Sequence, residues 1–535
     1  LLTFDAMRNV FECDDAQPAP WWALALAWWF LFSPVLWMWP GQRALVDATV
    51  SALLFSPLFL ARPLLRVALP LLLLAGAAHL AYFFAVHSDV DEFFWITVLG
   101  THASESWQYL QSYRWQDGLQ LLAWAVPAVF CATYLWHRAP AVQRRGARAA
   151  LLALLAPWLL WVGASAAKSN SPAEAVRKID RIYPMRLPES YLHYAGTAAH
   201  LHTVPTVAPP PHVAKADVVV VVIGESATAA RWSLLGYDGA DTNAALRPWS
   251  PSLAVLRVLA NGNNTAKTVP MLLSGKSLEA KRGQPEPASQ GHFVTYLDQA
   301  RQAGFQVASF SNQGAGSGNE SFFHIAFRQR SHRFAKLPEG QWDGALTPLM
   351  EQVLQSSAAG APAPLLLTLH TYGSHPQPAK RYPPEQARLA DVYDNSIAYS
   401  SSLLAQWIAR LEQLQERRVV LLYISDHGLN LPECGGQYTH GYARSAYEVP
   451  MLVWANQRFQ QAQPQWLAQV QAHATDTEMA YDNRVFQATL ADVLGYDGAY
   501  PSAAAAIARN APLPDLRIDG QPYAQMYPDN QCTPF

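Results

Sequence analysis

The sequence predicts two folds in one chain: an N-terminal all-α transmembrane bundle, and a C-terminal α/β domain with a mainly parallel sheet flanked by helices. The bundle is predicted by a series of long apolar segments that ends near residue 167. The α/β domain is predicted by apolar strand patterns that alternate with helical patterns from residue 216 onward. We therefore divide the chain into a transmembrane domain (1–167), a connector (168–215) and a globular domain (216–535).

Five apolar segments have lengths close to that of a membrane-spanning helix, at residues 21–39, 44–61, 67–87, 119–136 and 149–167. Arginines occupy the loops after the second and the fourth segments, whereas the loop after the third holds acidic residues. By the positive-inside rule, the N-terminus is then cytoplasmic and everything after the fifth segment lies outside. The first segment lacks a basic leader and a small-residue cleavage site, which indicates a retained span rather than a signal peptide.

The connector begins with a helical pattern at residues 171–181 that carries three cations. This segment either lies on the membrane surface or packs as an ordinary helix. Three consecutive prolines at residues 209–211 then stiffen the entry to the globular domain. The net charge of -2 favours no particular partner, and the lack of a basic block argues against binding to nucleic acid.

The globular domain contains ten segments whose patterns predict strands or helices. The predicted strands are residues 217–223, 306–311, 364–370, 419–425 and 450–454. The predicted helices are residues 227–235, 293–303, 345–357, 391–413 and 485–493. Strands as apolar as 217–223 and 419–425 are typical of a parallel sheet that is buried on both faces.

Both of these apolar strands end at residues that bind metal ions. Glu225 follows the first strand, and Asp426 and His427 follow the second. Ligands of such sheets collect at the carboxyl ends of the strands, and a carboxylate with an Asp-His pair suits a divalent cation, zinc above all. The alternative is a solvated strand end at Glu225 and a capped turn with a packed histidine at His427. The metal interpretation indicates a metal-dependent hydrolase or transferase.

Three further residues are candidates for chemistry near this edge of the sheet. Thr265 lies in a polar loop and is either a helix cap or a nucleophile whose pKa a bound metal ion lowers. His375 and His440 lie in loops at the same predicted edge and together form a candidate second metal or cationic site for a phosphate group.

Four cysteines are present, and only Cys434 and Cys532 belong to the globular domain. If this domain is exported to an oxidising compartment, the two cysteines either form a disulfide or remain free thiols.

Taken together, these motifs resemble the sulfatase-like, alkaline-phosphatase-superfamily domain of bacterial phosphoethanolamine transferases. The resemblance covers nearly the whole chain, since five spans followed by a periplasmic catalytic domain are also typical of that family. It implies a multi-pass protein of the bacterial inner membrane with a sulfatase-like fold at residues 216–535. The main matching segments are Gly224–Ser226, Thr265–Pro270, Ser311–Gln313, Gly373–His375, Arg381–Pro383, Tyr393–Ile397, Ser425–Gly428 and His440–Gly441.

The resemblance also implies a mechanism and a set of site residues. The implied catalytic zinc ligands are Glu225, Thr265, Asp426 and His427. Thr265 would attack phosphatidylethanolamine, become phosphoethanolamine-threonine, and then pass the group to lipid A, core heptose or periplasmic glucan. Either the substrate phosphate or a second zinc ion would bind His375 and His440. The remaining implied substrate-binding residues are Asn312, Lys267 and Glu105.

Two departures from the family pattern leave the acceptor open. Asn261 and Met271 stand where the lipid A-modifying members flank the nucleophile with paired cysteines, and Leu429 and Asn430 stand where they carry a glutamate. One alternative is a phosphoglycerol transferase of the lipoteichoic-acid-synthase type, which shares the five spans and the threonine nucleophile. Another is a membrane protein that binds lipid or a partner without turnover.

Overall fold

The computed structural model describes residues 19–38, 40–60, 62–86, 89–91, 94–95, 98–99, 115–139, 147–167, 182–201, 205–260, 262–275, 294–313, 322–358, 363–436, 438–474, 484–496, 517–518, 521–523 and 532. The chain forms two compact units. The first holds the described residues up to Trp95 and from Trp115 to Tyr194, and the second holds residues 98–99 and the described residues from Ala195 onward. The boundary falls within the predicted connector, whose early segment 171–181 lies outside the described residues.

The described residues before 205 are mostly α-helical. The helices are α1 (Trp21–Phe30), α2 (Pro34–Met38), α3 (Gln42–Phe55), α4 (Arg62–Val86), α5 (Trp115–Arg138), α6 (Ala147–Ala167) and α7 (Arg186–Leu201).

Two helices among the described residues are long and apolar enough to cross a membrane: Arg62–Phe84 within α4, and α5. Two shorter apolar helices, Trp21–Phe30 and Leu155–Ser165, accompany them. The predicted first apolar segment divides into α1 and α2 because Pro34 begins a new helix. In the predicted second apolar segment, α3 ends at Phe55 and a 3₁₀ turn that contains Pro57 follows. The topology of five spans therefore stays a prediction.

A close approach of α4 and α5 organises the core of the first unit. The fully buried Trp124 ring of α5 occupies the space beside Gly76 of α4, where a Cβ atom would lie 2.2 Å from the ring. The indole N–H of Trp124 donates to the Ser33 hydroxyl at 3.2 Å. Gly76 thus lets the two helices pack with a tryptophan between them, as small residues do between membrane helices.

The second unit is built on a seven-stranded sheet in the order β2-β7-β6-β1-β5-β3-β4. The strands are β1 (Val218–Gly224), β2 (Leu253–Leu259), β3 (Gln306–Ser311), β4 (Arg333–Lys336), β5 (Leu365–His370), β6 (Val419–Ser425) and β7 (Glu448–Ala455). All neighbours pair in parallel except β7, which runs antiparallel to both β2 and β6. A separate two-stranded ribbon pairs β8 (Arg517–Ile518) with β9 (Gln521–Pro522).

The predicted mainly parallel sheet is confirmed, and each of the five predicted strands is present with bounds shifted by at most two residues. The three central strands β1, β5 and β6 are buried along their whole length, as expected for runs of valine and leucine in the middle of a parallel sheet. The two strands that the sequence analysis missed, β2 and β4, lie at opposite edges of the sheet.

Helices pack around this sheet, and their described members are α8 (Thr265–Ser274), α9 (Tyr296–Gln302), α10 (Phe322–Arg330), α11 (Thr347–Ala358), α12 (Val392–Glu412), α13 (Arg444–Tyr447), α14 (Gln457–Ala462), α15 (Trp466–Ala474) and α16 (Arg484–Val493). The prediction of a helix at 227–235 is wrong. That segment forms two 3₁₀ turns because Trp232 between them is extended, with its ring buried and stacked on Tyr423.

The register of the sheet brings four strand ends to one edge. Ile223 of β1 lies opposite both His370 of β5 and Ile424 of β6, and Ser311 of β3 lies opposite His370. The residues that follow these strands therefore leave the sheet side by side.

Candidate metal centre

The residues after β1 and β6 meet at this edge of the sheet. Glu225, Asp426 and His427 are all buried, and their side chains converge. The Nε2 atom of His427 lies 3.2 Å from Oε1 of Glu225 and 3.4 Å from Oδ2 of Asp426. Two strand ends 200 residues apart in the chain thus form one cluster of two carboxylates and an imidazole.

Thr265 joins this cluster from the N-terminus of α8. Its Oγ1 atom donates to Oε2 of Glu225 at 3.0 Å and lies 3.3 Å from Nε2 of His427. Asn264 caps the helix, because its side chain accepts the Lys267 N–H at 3.1 Å. The first helical residue therefore carries the candidate nucleophile, and the amide groups of a helix N-terminus favour an anion such as phosphate at that place.

The backbone around Glu225 is held in an unusual conformation. Ser226 has a φ of 58°, which is rare for a residue other than glycine, and its hydroxyl donates to Oε1 of Glu225 at 2.5 Å. Gly373 has a φ of 48°, and a Cβ atom there would lie 2.4 Å from the Glu225 carbonyl oxygen. The loop after β5 can therefore pack against Glu225 only with glycine at position 373.

The electrostatics of the cluster favour a cation. Burial by itself would raise the pKa of Glu225, but the positive His427 ring lowers that pKa well below its ordinary value. Burial and the Glu225 charge raise the pKa of Asp426. Burial opposes a charge on His427, yet Asp426 and Glu225 together raise its pKa to about 9. Two buried carboxylates thus create a negative field that holds positive charge among them.

The donor set fits zinc. Thr265, Glu225, Asp426 and His427 offer oxygen and nitrogen ligands, the atoms that zinc binds in catalytic sites. Oδ2 of Asp426 is buried and accepts no hydrogen bond from the described residues, although its partner Oδ1 accepts the backbone N–H groups of Ser226 and His427. A buried carboxylate oxygen that lacks a donor is costly, and a cation in the cluster would satisfy it.

His440 and His375 lie next to this cluster. Ligand atoms of Glu225, His427 and His440 all lie within 4.8 Å of one another. The ring centroid of His440 is 4.9 Å from that of His427 and 6.1 Å from that of His375. Burial and the neighbouring His427 lower the pKa of His440 well below its ordinary value, so its ring is neutral and suited to bind a metal.

The structure describes two of the other three predicted substrate-binding residues, Lys267 and Asn312. Lys267 is buried in the first turn of α8, next to Thr265. Asn312 is also buried, and its amide nitrogen donates to Oδ1 of Asp343 at 2.8 Å and to the Gln341 carbonyl at 3.0 Å. Glu105 lies outside the described residues. Substrate binding by these three residues stays a prediction.

The sequence analysis gave no role to several residues that hold the site together. Asp343 accepts the backbone N–H groups of Tyr372 at 2.7 Å and Gly373 at 2.8 Å, and so fixes the loop that carries His375. Arg381 donates to the carbonyl of His375 at 3.2 Å and covers the Tyr372 ring.

The sequence analysis placed Gln313 in a matching segment but gave it no role, and its amide nitrogen donates to Oε2 of Glu225 at 2.6 Å. The sequence does indicate that Gln313 lies near the site. It follows β3 by two residues, and β3 ends at the same edge of the sheet as β1 and β6.

Comparison with known protein families matches residues 217–496, more than half of the chain, to the sulfatase family. The chain belongs to the sulfatase family. The matched residues contain the whole seven-stranded sheet and all four residues of the cluster at its edge.

Among curated relatives, the putative transferase YhbX of Escherichia coli (strain K12) is 30% identical over 249 residues, which are 44% of this chain and 43% of the relative. The phosphoethanolamine transferase OpgE of the same organism is 31% identical over 256 residues, 45% of each chain. The chain thus spans about half the length of the curated relatives it matches.

One solved structure has a similar fold over most of this chain. The integral membrane protein lipooligosaccharide phosphoethanolamine transferase A (EptA) from Neisseria meningitidis superimposes with a TM-score of 0.59 at 18% identity. The match covers 92% of this chain and 99% of EptA. The resemblance to the phosphoethanolamine transferases is thereby confirmed for the sequence and for the fold.

Proposed function

We propose that this protein transfers phosphoethanolamine from phosphatidylethanolamine to an envelope glycan or glycolipid through a covalent intermediate on Thr265. The observation that carries the proposal is the position of the Thr265 hydroxyl, 3.0 Å from Glu225 and 3.3 Å from His427. A threonine that only capped α8 would have no need of two buried ionisable groups at its oxygen. The relatedness to phosphoethanolamine transferases such as OpgE supports the choice of head group.

In the first displacement, the Thr265 oxygen attacks the phosphorus atom of phosphatidylethanolamine. The bond between phosphorus and the glycerol oxygen breaks, and diacylglycerol leaves with a proton. The Glu225 carboxylate accepts a hydrogen bond from Thr265 and lies where it can take the proton that Thr265 gives up. A zinc ion held by Glu225, Thr265, Asp426 and His427 would supply a Lewis acid that favours the threonine alkoxide and the charge on the phosphoryl oxygens.

In the second displacement, an acceptor hydroxyl attacks the phosphorus atom of phosphoethanolamine-threonine. Thr265 leaves, regains its proton, and the acceptor carries the new phosphodiester. His375 and His440 lie beside the cluster and would bind the phosphoryl oxygens or a second zinc ion. The acceptor classes are lipid A, core heptose and periplasmic glucan, and one relative is named a Kdo(2)-lipid A phosphoethanolamine 7''-transferase.

The proposed location is the bacterial inner membrane with the sulfatase domain in the periplasm. Helices α4 and α5 are apolar enough to span the bilayer, which would hold the enzyme next to its lipid donor. The disulfide between Cys434 and Cys532 supports an oxidising compartment for the sulfatase domain.

The experiment is intact-protein mass spectrometry after incubation of the full-length protein with vesicles of phosphatidylethanolamine. We expect one phosphoethanolamine group on the wild-type protein and none on Thr265→Ala. The variant Thr489→Ala is the control, because its hydroxyl donates only to Val485 within α16. A phosphoglycerol adduct from phosphatidylglycerol would instead assign the alternative transferase class, and retention of the adduct by Thr265→Ala would refute the proposed nucleophile.

A second measurement identifies the acceptor. Lipid A, core oligosaccharide and periplasmic glucan from cells with and without the protein are compared by mass spectrometry. The fraction that gains phosphoethanolamine contains the acceptor, and no gain in any of the three would contradict the proposed transfer.

A further inference from the structure

The side chain of Gln313 bridges two strand ends at the metal centre. Its amide nitrogen donates to Oε2 of Glu225 at 2.6 Å and to the Thr371 carbonyl at 3.1 Å. An amide nitrogen carries two hydrogens, so both are used and the orientation of the side chain is fixed. Gln313 is only 7% exposed, so water competes little for these bonds.

The oxygen that Gln313 contacts is the one that faces the nucleophile. Oε2 of Glu225 accepts from both Gln313 and the Thr265 hydroxyl, whereas Oε1 accepts from Ser226. Hydrogen bonds to a carboxylate are stronger than bonds between neutral groups, so these two donors fix the plane of the carboxylate. The plane decides which lone pairs of Glu225 point at Thr265 and His427.

We infer that Gln313 is a positioning residue for the metal-binding carboxylate of Glu225, and that a buried network of Ser311, His324 and His370 fixes Gln313 in turn. The inference rests on the proposed function in one respect, namely that Glu225 binds the catalytic metal. Groups that hydrogen-bond to a metal ligand orient it, and their loss typically costs 10–100-fold in metal affinity or activity.

The network meets at the Ser311 hydroxyl, the last residue of β3. Its Oγ atom accepts the Gln313 backbone N–H at 3.2 Å and lies 3.1 Å from Nδ1 of His370 and 3.0 Å from Nε2 of His324. A hydroxyl has one hydrogen and two lone pairs. Because Gln313 takes one lone pair, one histidine must donate to Ser311 and the other must accept from it.

This arrangement requires that the histidine that accepts from Ser311 be neutral, because a protonated ring has no acceptor nitrogen. If both rings were protonated, Ser311 would face three N–H donors with two lone pairs, and its own hydrogen would have no acceptor among them. Burial lowers the pKa of His370 to about 4 and lowers that of His324 well below its ordinary value. The rings of Phe323 and Phe327 pack against His370 and keep its surroundings apolar. The anchor of Gln313 is therefore uncharged and complete at neutral pH.

The test measures zinc affinity separately from activity, by competition of the full-length, detergent-solubilised protein with a chromophoric chelator. Gln313→Met keeps the length of the side chain but removes its donors. We expect its zinc dissociation constant to rise about 10–100-fold, with the thermal unfolding of the metal-free protein close to that of Gln471→Met. Gln471 is the matched control, since its amide nitrogen likewise donates to two acceptors, the backbone carbonyls of Pro251 and Leu253.

Two further variants complete the test. Ser311→Ala leaves the Gln313 amide in place but removes its anchor, so we expect a smaller loss of zinc affinity in the same direction. If Gln313→Met does not fold, Gln313→Asn replaces it, because a shortened amide can no longer reach both Glu225 and Thr371. Zinc affinity within about twofold of the wild type in a folded Gln313 variant would overturn the inference.

Failure of the inference and failure of the proposed function give different results. If Glu225→Ala and the wild type bind zinc equally, Glu225 is not a metal ligand. That result would refute both the proposed metal centre and the positioning role of Gln313. If Glu225→Ala loses zinc while Gln313→Met retains it, only the positioning role of Gln313 is refuted.

Discussion

Acidification should destabilise the sulfatase domain through the buried histidine His370. Its ring is inaccessible at the end of β5, and burial lowers its pKa to about 4 from an ordinary value of 6.5. Between these two values, the unfolded chain binds a proton at this residue and the folded chain does not. Stability therefore falls as the pH drops from about 6.5 toward 4 and does not fall further through this residue below that range.

The magnitude follows from the two pKa values. One pH unit within the window corresponds to about 1.4 kcal/mol, so lowering the pH from 7 to 4.5 removes roughly 2 kcal/mol of unfolding free energy through His370. The lowered pKa of His324 adds a loss of the same sign. If His370 is the ring that accepts from Ser311, its protonation would also break that hydrogen bond.

The assay is urea unfolding of the metal-free, full-length protein at a series of pH values, followed by pulse proteolysis of the sulfatase domain. His370→Asn keeps an amide near the position of Nδ1 but does not titrate, so we expect a shallower loss of stability with acid than in the wild type. His212→Gln, a change at an exposed position, controls for loss of a histidine as such. Parallel losses in the wild type and His370→Asn between pH 7 and 4.5 would refute the reasoning.

Three other perturbations should have distinct effects. Gly373→Ala should abolish transfer, because its Cβ would clash with the Glu225 carbonyl. Gly340 also has a positive φ but has open space around it, so Gly340→Ala should cost only about 1–2 kcal/mol of stability. Asp343→Asn should leave the Gly373 N–H without its acceptor. We therefore expect a higher KM for the lipid in transfer kinetics, and a free energy of unfolding that is lower by about 1–3 kcal/mol. Chelation should remove transfer activity and zinc should restore it, and full activity in excess chelator would contradict the metal centre.

The central sheet could be predicted because its strands are unambiguous in sequence. Runs such as Val218–Gly224 and Val419–Ser425 are too apolar and too rich in β-branched residues for anything but a buried strand. The edge strand β2 was missed because Arg257 interrupts its apolar pattern, and the structure shows that the guanidinium reaches Glu448 at 3.3 Å. β4 is only four residues long, which is too short for a pattern to be visible.

The metal cluster could be predicted for a related reason. Glu225, Asp426 and His427 directly follow apolar strands, and parallel strands align their carboxyl ends. Asp343 could not be found in this way, because it lies in a 3₁₀ turn between β4 and α11 and reaches the site only through tertiary packing. Its role depends on a partner loop 30 residues away in the chain, and no local pattern encodes that contact.

The disulfide restrains a loop beside the candidate metal centre, although this chain has no cysteines that flank Thr265. Asn261 and Met271 occupy the positions where lipid A-modifying members of the resembling family carry a cysteine pair, so α8 has no covalent tie there. Instead, Cys434, which lies in the segment between His427 and His440, pairs with Cys532. Within that segment Asn430 pairs with Thr439, and Glu433 accepts two hydrogen bonds from Arg231.

These ties act on the loop that leads to His440. A loop that leaves the sheet after His427 must return so that His440 lies 4.9 Å from it, and loop closure of this kind costs conformational entropy. The bridge, the ion pair and the disulfide all restrict the same segment. The covalent tie of this chain therefore restricts the loop that leads to His440, next to His427, rather than the segment around Thr265.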